Sequence, residues 1–346
     1  MRRIFCAPAL CAFAFLVLVA IVIAAPIKPM NELQIFCIDV EGGQSTLIVD
    51  PLGESMLVDT GWAGFNGRDA DRIVAAAKAA GIERIDYLVI THYHKDHVGG
   101  IEQLAAKIEI GTFVDHGPNM EDSDSTREGY ATYLKVSAHS KRIVMQPGGR
   151  LPFKGMSVQF LTAAGDEITK PLSGAGQPNP YCASEPEAPV DSSENQRSLG
   201  MLITFGKFRF LDMGDLTKRR EIELMCPNNK IGTVDLFLVT HHGLDLSNSK
   251  AFVHAVHARA AIMDNGPHKG DNPAAWQTVH DAPGMQDLWQ LHYGLDAGKE
   301  HNSPDDFIAN LTEEKDAGNY IGVVAKGDGT FTVVNSRNLF QKTYKK

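Results

Sequence analysis

The chain has 346 residues, of which 43% are hydrophobic and 22% are charged, and its formal net charge is −9. This length and apolar content are enough for a large buried core, and they exclude wholesale disorder. The acidic balance argues against a stable nucleic-acid binder, because such proteins carry a basic surface. We therefore expect the partner to be a small molecule.

Residues 1–25 have the composition of an export signal. Arg2 and Arg3 precede an apolar run that ends in two alanines. A basic start, an apolar centre and small residues at the end are typical of a secretory signal peptide. Because Pro26 follows directly, an uncleaved N-terminal membrane anchor is the alternative. In either case we expect an exported protein, periplasmic or secreted.

Three cysteines remain after the leader: Cys37, Cys182 and Cys226. Their number and wide spacing fit neither a disulfide framework nor a thiolate zinc site, so at most one bridge is expected. Cys37 lies in an apolar run and is predicted to be a core residue.

The first half of the mature chain alternates short apolar runs with helical stripes. Strands are predicted at Gln34–Asp39, Ser45–Asp50, Ser55–Asp59, Tyr87–Ile90 and Thr112–Asp115. Helices are predicted at Asp69–Ala80, Ile101–Ile108 and Thr126–His139. A long irregular loop follows over residues 163–197, where glycine and proline are frequent.

The second half repeats this alternation. Strands are predicted at Leu199–Phe205, Phe208–Met213, Val234–Thr240, Ala260–Met263, Ile321–Ala325 and Phe331–Val334. Helices are predicted at Lys218–Met225, Ala251–His257 and Pro304–Glu314, and residues 266–285 are predicted to be mostly loop. Two strand-rich halves, residues 34–162 and 198–335, indicate two sheets packed face to face with helices outside. The expected fold is therefore an α+β, four-layer αβ/βα sandwich in one domain over residues 31–340.

The strongest chemical signal is the segment Thr91–His97, which reads T-H-Y-H-K-D-H. Imidazoles and carboxylates are the ligands that zinc takes when cysteine is absent. His92 and His94 are two apart on extended backbone and can point the same way. Asp96 and His97 follow in a turn and offer a second pair of ligands. The alternative is a solvated polar loop after a strand.

Four further segments complete a resemblance to the metallo-β-lactamase superfamily. They are Asp59–Gly61 upstream, Gly214–Asp215 and His241–Gly243 at later strand ends, and Asp39–Ser45 near the start. The last of these resembles the early motif of the competence-type branch, which includes the soluble domain of DNA-uptake proteins and a secreted phosphorylcholine esterase. The resemblance covers about residues 34–335.

The resemblance implies two metal ions, zinc in the first instance, with other divalent metals as the alternative. Asp215 matches the carboxylate that bridges both ions. Of His241 and His242, one should bind metal and the other face the substrate, and we favour His242 as the ligand. The implied metal ligands are His92, His94, Asp96, His97, Asp215, and His242 or His241. Asp96 is also assigned to the catalytic group, and Asp59 to orienting a ligand histidine.

One departure from the family pattern concerns the third ligand of the first metal. Many members have a histidine about twenty residues before the bridging aspartate, but here residues 194–197 read E-N-Q-R. His116, at the end of the strand Thr112–Asp115, could supply the missing ligand. A purely structural role for His116 is the alternative.

The loop after Gly266 contains His268 and Lys269. His268 is a candidate proton donor to a leaving group, and Lys269 or Arg197 could hold an anionic substrate oxygen. An ordinary exposed loop is the alternative.

The implied activity is metal-assisted hydrolysis, in which a hydroxide shared by the two ions attacks phosphorus or a carbonyl carbon. A phosphomonoester or phosphodiester is the leading substrate class, from the branch resemblance alone. The alternatives are a cyclic amide or ester, as in β-lactamases or lactonases, and a non-catalytic metal-binding protein.

Overall fold

The computed structural model describes residues 31–346 except 186–187 and 314–317. The predicted leader over residues 1–25 lies outside the described residues. Within the described ranges the chain forms two large sheets and seven α-helices. No helix in this part of the chain is long and apolar enough to cross a membrane.

The first sheet combines the beginning and the end of the chain. Its strands are β1 (Glu32–Cys37), β2 (Thr46–Val49), β3 (Ser55–Val58), β4 (Arg84–Val89), β5 (Glu109–Asp115), β6 (Lys141–Val144), β16 (Ile321–Lys326), β17 (Phe331–Asn335) and β18 (Gln341–Tyr344). They are ordered β18-β17-β16-β1-β2-β3-β4-β5-β6. Neighbours from β3 to β6 are parallel, so the carboxyl ends of these strands meet at one edge.

The second sheet uses the middle of the chain. Its strands are β7 (Arg150–Leu151), β8 (Ser157–Ala163), β9 (Asp166–Glu167), β10 (Gly200–Phe205), β11 (Phe208–Asp212), β12 (Leu236–Leu238), β13 (Ala260–Met263), β14 (Asp287–His292) and β15 (Ile308–Asn310). They are ordered β15-β14-β13-β12-β11-β10-β8-β7, with β9 beside β8. The neighbours from β11 to β15 are parallel.

Helices cover the outer face of each sheet. They are α1 (Arg68–Ala79), α2 (Lys95–Val98), α3 (Ile101–Ala105), α4 (Asp124–Ser137), α5 (Lys218–Met225), α6 (Lys250–Val256) and α7 (Pro273–His280). Ile73 of α1, Leu104 of α3 and Tyr133 of α4 belong to the core outside the first sheet. Phe252 of α6 and Trp276 of α7 belong to the core outside the second.

A third core lies between the two sheets. Leu33 and Ile35 of β1 cluster there with Phe208 and Phe210 of β11, and all four are fully buried. Each sheet therefore buries both faces, which is why its central strands are almost continuously apolar. This arrangement is the four-layer αβ/βα sandwich that the sequence predicts.

The predicted hairpin of β16 and β17 is present, but its place in the sandwich and two other predicted elements are wrong. The hairpin of β16 and β17 does not belong to the second half, because β16 pairs with β1 in the first sheet. Pro304–Glu314 is not a helix, because Ile308–Asn310 pairs with β14. The predicted loop 266–285 contains α7, whose start at Asn272 and Pro273 is a recognisable helix signal.

Within the described ranges, one disulfide joins Cys182 to Cys226 across 44 residues. It anchors the long loop over residues 163–197 to the end of α5. Cys37 is free and buried in the core between the sheets, as the sequence predicts.

Candidate metal centre

The two sheets bring their parallel-strand carboxyl ends together at one edge. Asp59 follows β3, and the segment Thr91–His97 follows β4. From the other sheet, Asp215 follows β11 and His241 and His242 follow β12. Glycine is required where these loops touch: a Cβ on Gly100 would lie 2.2 Å from Thr60 O. The histidine loop is therefore held directly against the end of β3.

Asp96, His97, His242 and Asp215 form one buried group of donor atoms. Nε2 of His97 lies 3.5 Å from Oδ2 of Asp96, 3.2 Å from Oδ2 of Asp215 and 3.3 Å from Nε2 of His242. A metal ion that binds such ligands at about 2.1 Å holds tetrahedral donors roughly 3.4 Å apart. The spacing of these four side chains therefore fits a divalent ion of this size.

His92, His94 and Asp215 form a second group. Nε2 of His92 lies 3.0 Å from Nδ1 of His94 and 3.8 Å from Oδ2 of Asp215. Asp215 thus belongs to both groups, as a bridging carboxylate must.

The protonation states of Asp215 and His92 suit metal binding. Burial raises the pKa of Asp215, but the neighbouring His241, His97 and His242 together hold it well below its usual range. Burial and the neighbouring His97 and His94 hold the pKa of His92 well below its usual value, so its imidazole is neutral. Oδ1 of Asp215 is buried without a hydrogen-bond partner in the described part of the chain. An ionised, unpartnered oxygen between histidines is the donor that a cation requires.

The ligand histidines are oriented from behind by carboxylates. Oδ2 of Asp59 lies 2.7 Å from Nδ1 of His97 and also accepts a hydrogen bond from Thr91 Oγ1. This is the position expected for Asp59. Oδ1 of Asp264, at the end of β13, lies 3.3 Å from Nδ1 of His242. Both contacts leave Nε2 of the histidine to face the donor group.

A further carboxylate, Glu121, lies behind His94. Its Oε2 lies 3.0 Å from Nε2 of His94 and accepts a hydrogen bond from the backbone N–H of Glu194. Glu121 and Asp264 were not predicted as site residues from the sequence. Asp264 carried the same signal as Asp215, since both closely follow the end of an apolar strand, whereas Glu121 lies in an irregular segment without a signal.

His116 is not part of either donor group, contrary to its proposed role as third ligand. Its Nε2 lies 2.9 Å from Oε2 of Glu194, and both side chains are fully buried. Glu194 lies in the segment where many family members have a ligand histidine, and here it contacts His116 and no metal ligand.

His241 and His242 are consecutive residues with left-handed backbone, at φ 57° and 56°. This turn separates their rings. Nε2 of His242 lies in the donor group, whereas Nδ1 of His241 lies 3.1 Å from Ser247 Oγ and its Nε2 lies 3.4 Å from Oδ2 of Asp215. Nδ2 of Asn195 is a further neighbour of His241, at 3.4 Å from Nε2.

Two candidate residues do not reach the ligands. His268 is exposed, and its ring nitrogens contact Asp296 and Glu313, so neither is left to donate a proton to a substrate. Arg197 donates a hydrogen bond from Nη1 to the carbonyl of Ala164. The geometry therefore does not support His268 as a proton donor or Arg197 as a ligand of an anionic substrate oxygen.

Lys269 does reach the centre. Its Nζ contacts Oδ2 of Asp96 and lies 5.1 Å from the centroid of the Trp62 ring. An ammonium group at this place can hold an anionic oxygen beside the donor groups.

Asp39, Glu41 and His292 form a third group of possible metal ligands. Nε2 of His292 lies 2.7 Å from Oδ1 of Asp39, whose Oδ2 pairs with Arg72 at 2.7 Å. The arginine already balances the carboxylate charge, and we assign this group to the contact between the two sheets.

The family described as the metallo-beta-lactamase superfamily matches residues 38–217. ComE operon protein 3 of Bacillus subtilis is 26% identical over 190 residues, which are 54% of this chain and 21% of that protein. Competence protein ComA of Neisseria gonorrhoeae is 24% identical over 238 residues, which are 69% and 28% of the two chains. Hydroxyacylglutathione hydrolase of Rhodopseudomonas palustris is 33% identical over 90 residues, which are 26% and 35%. The chain spans between about a fifth and about a third of the length of these relatives.

Proposed function

This chain belongs to the metallo-beta-lactamase superfamily, and from that premise we propose that it hydrolyses phosphoesters with two divalent metal ions, zinc in the first instance. The family and its competence-type relatives were predicted from the sequence and are confirmed. The substrate class and the identity of the metal are our proposals.

One observation carries the proposal: two groups of nitrogen and oxygen donors share the single carboxylate of Asp215. Asp96, His97 and His242 would hold one ion with it, and His92 and His94 the other. A donor set of histidines and carboxylates without cysteine is the set that catalytic zinc sites use. When bound, the ions supply a hydroxide nucleophile and polarise the ester.

The chain's own residues prepare this site. Asp59 bonds Nδ1 of His97 and keeps the Nε2 of that ring turned inward, and Asp264 places a carboxylate 3.3 Å behind Nδ1 of His242. Asp215 keeps its negative charge because the surrounding histidines outweigh the effect of burial on its pKa. Asp96 has a role as metal ligand, and its contact with Lys269 brings an ammonium group next to the donor atoms.

His241 is the residue we assign to proton transfer. Its Nδ1 is 3.1 Å from Ser247 Oγ, and its Nε2 points to Asp215 and Asn195. Burial and neighbouring His242 and Lys269 lower its pKa, with Asp215 acting in the opposite direction. A neutral imidazole that is fixed beside the donor groups without belonging to either is positioned to take a proton at Nε2 from the attacking water and to pass it to the leaving alcohol.

A phosphoester is favoured over a lactam or lactone because Lys269 brings a cation to the donor groups, where a phosphate would carry negative charge. The alternative is a carboxylic ester or thioester. It is supported by the local similarity to hydroxyacylglutathione hydrolase, which covers only 26% of this chain.

We also propose that the protein works outside the cytoplasm. The Cys182–Cys226 disulfide supports this, because such bonds persist in oxidising compartments. The similarity to competence proteins agrees with a place in the cell envelope.

The test uses the purified, zinc-loaded protein with bis(4-nitrophenyl) phosphate, 4-nitrophenyl phosphate, a chromogenic β-lactam, a lactone and a thioester. We expect turnover of a phosphoester above the other classes. We expect His241→Gln to lower that turnover about 100-fold or more with unchanged metal content, and His139→Gln, an exposed control, to leave it unchanged. Preference for the lactam, lactone or thioester would overturn the phosphoester proposal.

A further inference from the structure

A cavity of about 640 Å³ lies on the outer face of the second sheet. It is lined by strands β7, β8, β10 and β11 and by the segment over residues 168–173. Val158 and Phe210 on these strands point into the core between the sheets, so the alternate residues point outward into the cavity. Arg209 is near the start of β11, whereas Asp215 follows the end of that strand, so the cavity is remote from the metal centre.

The strand register places polar side chains next to one another in this cavity. Ser157, Thr204 and Arg209 are neighbours across β8, β10 and β11. Arg150 of β7 is opposite Gln159 of β8. Cross-strand neighbours on one face have Cβ atoms about 5 Å apart, so the polar groups of these residues can reach one ligand.

The charged residues of the lining all have the same sign. Arg150, Lys170 and Arg209 line the cavity, and none of the described aspartates or glutamates does. The chain as a whole has a formal net charge of −9, so this local excess of positive charge is opposite to the average. A concave site with one sign of charge attracts a ligand of the opposite sign.

The cations of the cavity are not paired with carboxylates. Eight of the twelve arginines in the described ranges form an ion pair with a carboxylate, and Arg150 and Arg209 are among the four that do not. Nη1 of Arg150 donates to Ser157 Oγ at 3.1 Å, and its Nη2 donates to Gln159 Oε1 at 2.7 Å. Lys170 has no hydrogen bond or ion pair with any described residue. The positive charges therefore remain available to a ligand.

Arg209 is half-buried and fixed in place. Its guanidinium donates to the carbonyls of Ile231 and Thr233. Its backbone N–H donates to Asp235, but that carboxylate is paired with Arg259 at 2.8 Å. Burial lowers the pKa of Arg209, and Asp235 acts in the opposite direction. A partly desolvated guanidinium without its own counter-charge is stabilised by an anion that binds beside it.

The arrangement of the donors favours a phosphate group over a carboxylate. The three cations come from β7, from β11 and from the segment 168–173, and so from different sides of the cavity. The hydroxyl groups of Thr169, Ser173 and Thr204 have no hydrogen-bond partner in the described part of the chain, and none of these residues is buried. A phosphate monoester offers three terminal oxygens to such donors, whereas a carboxylate offers two.

We propose that this cavity binds a small organic molecule through a phosphate monoester group, which Arg150, Lys170 and Arg209 hold together with the hydroxyl groups of the lining. The volume lies within the range of about 300–1,000 Å³ that is usual for ligand pockets. Ile168 and Leu202 are apolar residues of the lining and contact the carbon skeleton of the ligand. The site contains no metal ligand and does not rest on the proposed function.

Sulfate is the probe that tests this site, because it is a tetrahedral dianion that a phosphoesterase does not cleave. Backbone-amide NMR of the zinc-loaded protein follows the signals of Ser157, Thr204 and Arg209, so that binding at the metal centre is not counted. We expect these signals to shift saturably with sulfate. Chloride at equal ionic strength, and the dicarboxylate succinate, should bind at least about fivefold more weakly.

Three variants of the lining and one control identify the residues that bind sulfate. Lys170→Gln and Arg150→Gln should each weaken sulfate binding about fivefold or more, and both should keep the thermal midpoint because these residues are exposed. Thr204→Glu puts a carboxylate opposite Arg209 in the register and should abolish binding. Lys141→Gln is the control, since Lys141 is exposed in the first sheet, and its loss should change the affinity less than about twofold.

The outcomes are distinct. Sulfate that binds no better than chloride, or that binds Lys170→Gln and Arg150→Gln as it binds the wild type, overturns the anion site. Succinate that binds as tightly as sulfate overturns the assignment to a phosphate group. Saturable binding of sulfate with the expected variant effects supports the site, and none of these results depends on what the metal centre hydrolyses.

Discussion

Nε2 of His116 lies 2.9 Å from Oε2 of Glu194, and this buried pair lies where the family's usual third ligand of the first metal would come from. Glu194 engages Nε2 of His116, and neither residue belongs to a donor group, although Nδ1 of His116 has no hydrogen-bond partner among the described residues. The first site therefore has His92, His94 and Asp215, whereas the second has Asp96, His97, His242 and Asp215.

This difference predicts that the two ions bind unequally. A site with four protein ligands should hold its ion more tightly than a site with three. On titration with a chelator, we expect the ion at His92 and His94 to leave first, with a dissociation constant at least about tenfold higher. His92→Ala should then keep one tightly bound equivalent, and Asp96→Ala should lose that one. Two ions that leave together in the wild type would contradict this ordering.

Replacing Asp215 by asparagine tests the bridging role. The variant should stay folded, because the side chain keeps its shape, and Oδ1 has no hydrogen-bond partner to lose in the described residues. It should lose at least one metal ion and about two orders of magnitude in hydrolytic rate, because the charge that offsets two dications is gone. Native mass spectrometry measures the metal content of the variant, and a turnover assay measures its hydrolytic rate. Full metal content with a normal rate would show that Asp215 is only a turn residue.

Asp59→Asn tests whether a carboxylate must stand behind His97. An amide is a poorer partner for Nδ1 of that ring, so we expect metal affinity to fall about 10- to 100-fold while the fold is kept. Asp50→Asn is the control, since Asp50 is equally buried but bonds only to the backbone of Leu52, Glu54 and Gly155. Equal metal affinities of the two variants would rule out the orienting role.

Asp271 should make the protein less stable as the pH rises. Burial raises the pKa of this carboxyl to about 8 in the folded chain, against about 4 in an unfolded one. Between those values only the unfolded chain ionises, so the free energy of unfolding falls as pH rises towards 8. Asp271→Asn removes this titration. Its stability relative to the wild type should therefore improve by about 2 kcal/mol or more from pH 5 to pH 8, measured by denaturant unfolding. A constant difference across that range would count against a protonated Asp271.

Reducing the disulfide should lower stability. The Cys182–Cys226 bond closes a loop of 44 residues, for which the loss of chain entropy in the unfolded state corresponds to about 2 to 4 kcal/mol. We expect a matching loss in the Cys182→Ser, Cys226→Ser double variant by denaturant unfolding. A Cys37→Ser control should show no dependence of its stability on reductant beyond that of the wild type. An unchanged double variant would mean that the long loop does not depend on this bond.

The local part of the site was predictable and the distant part was not. Thr91–His97 supplies four donors from seven consecutive residues, so its spacing alone indicates a metal site. The partner of His116 is 78 residues away in the sequence, and no local pattern near either residue predicts their contact. His268 failed as a candidate for the same reason, since its contacts with Asp296 and Glu313 depend on tertiary packing.

In the fold, too, local elements were predictable and long-range pairing was not. The helix α1 has its apolar residues on one face and was predicted nearly to its ends. Ile308–Asn310 is apolar enough to continue a helix, but the free edge of β14 pairs with it as a strand. Tertiary pairing of this kind overrides local preference, and a single sequence does not report it.

The pairing of β1 with β16 also bears on the order of folding. Glu32 is in register with Lys326, so the first strand of the described chain acquires one of its two neighbours from a strand that is synthesised long after it. Until β16 is available, the backbone N–H and C=O groups on that edge of β1 have no strand to pair with. Such long-range closure is slow and leaves an edge exposed to intermolecular pairing. A ribosome-bound chain that ends before residue 321 should therefore remain aggregation-prone, however completely its helices have formed.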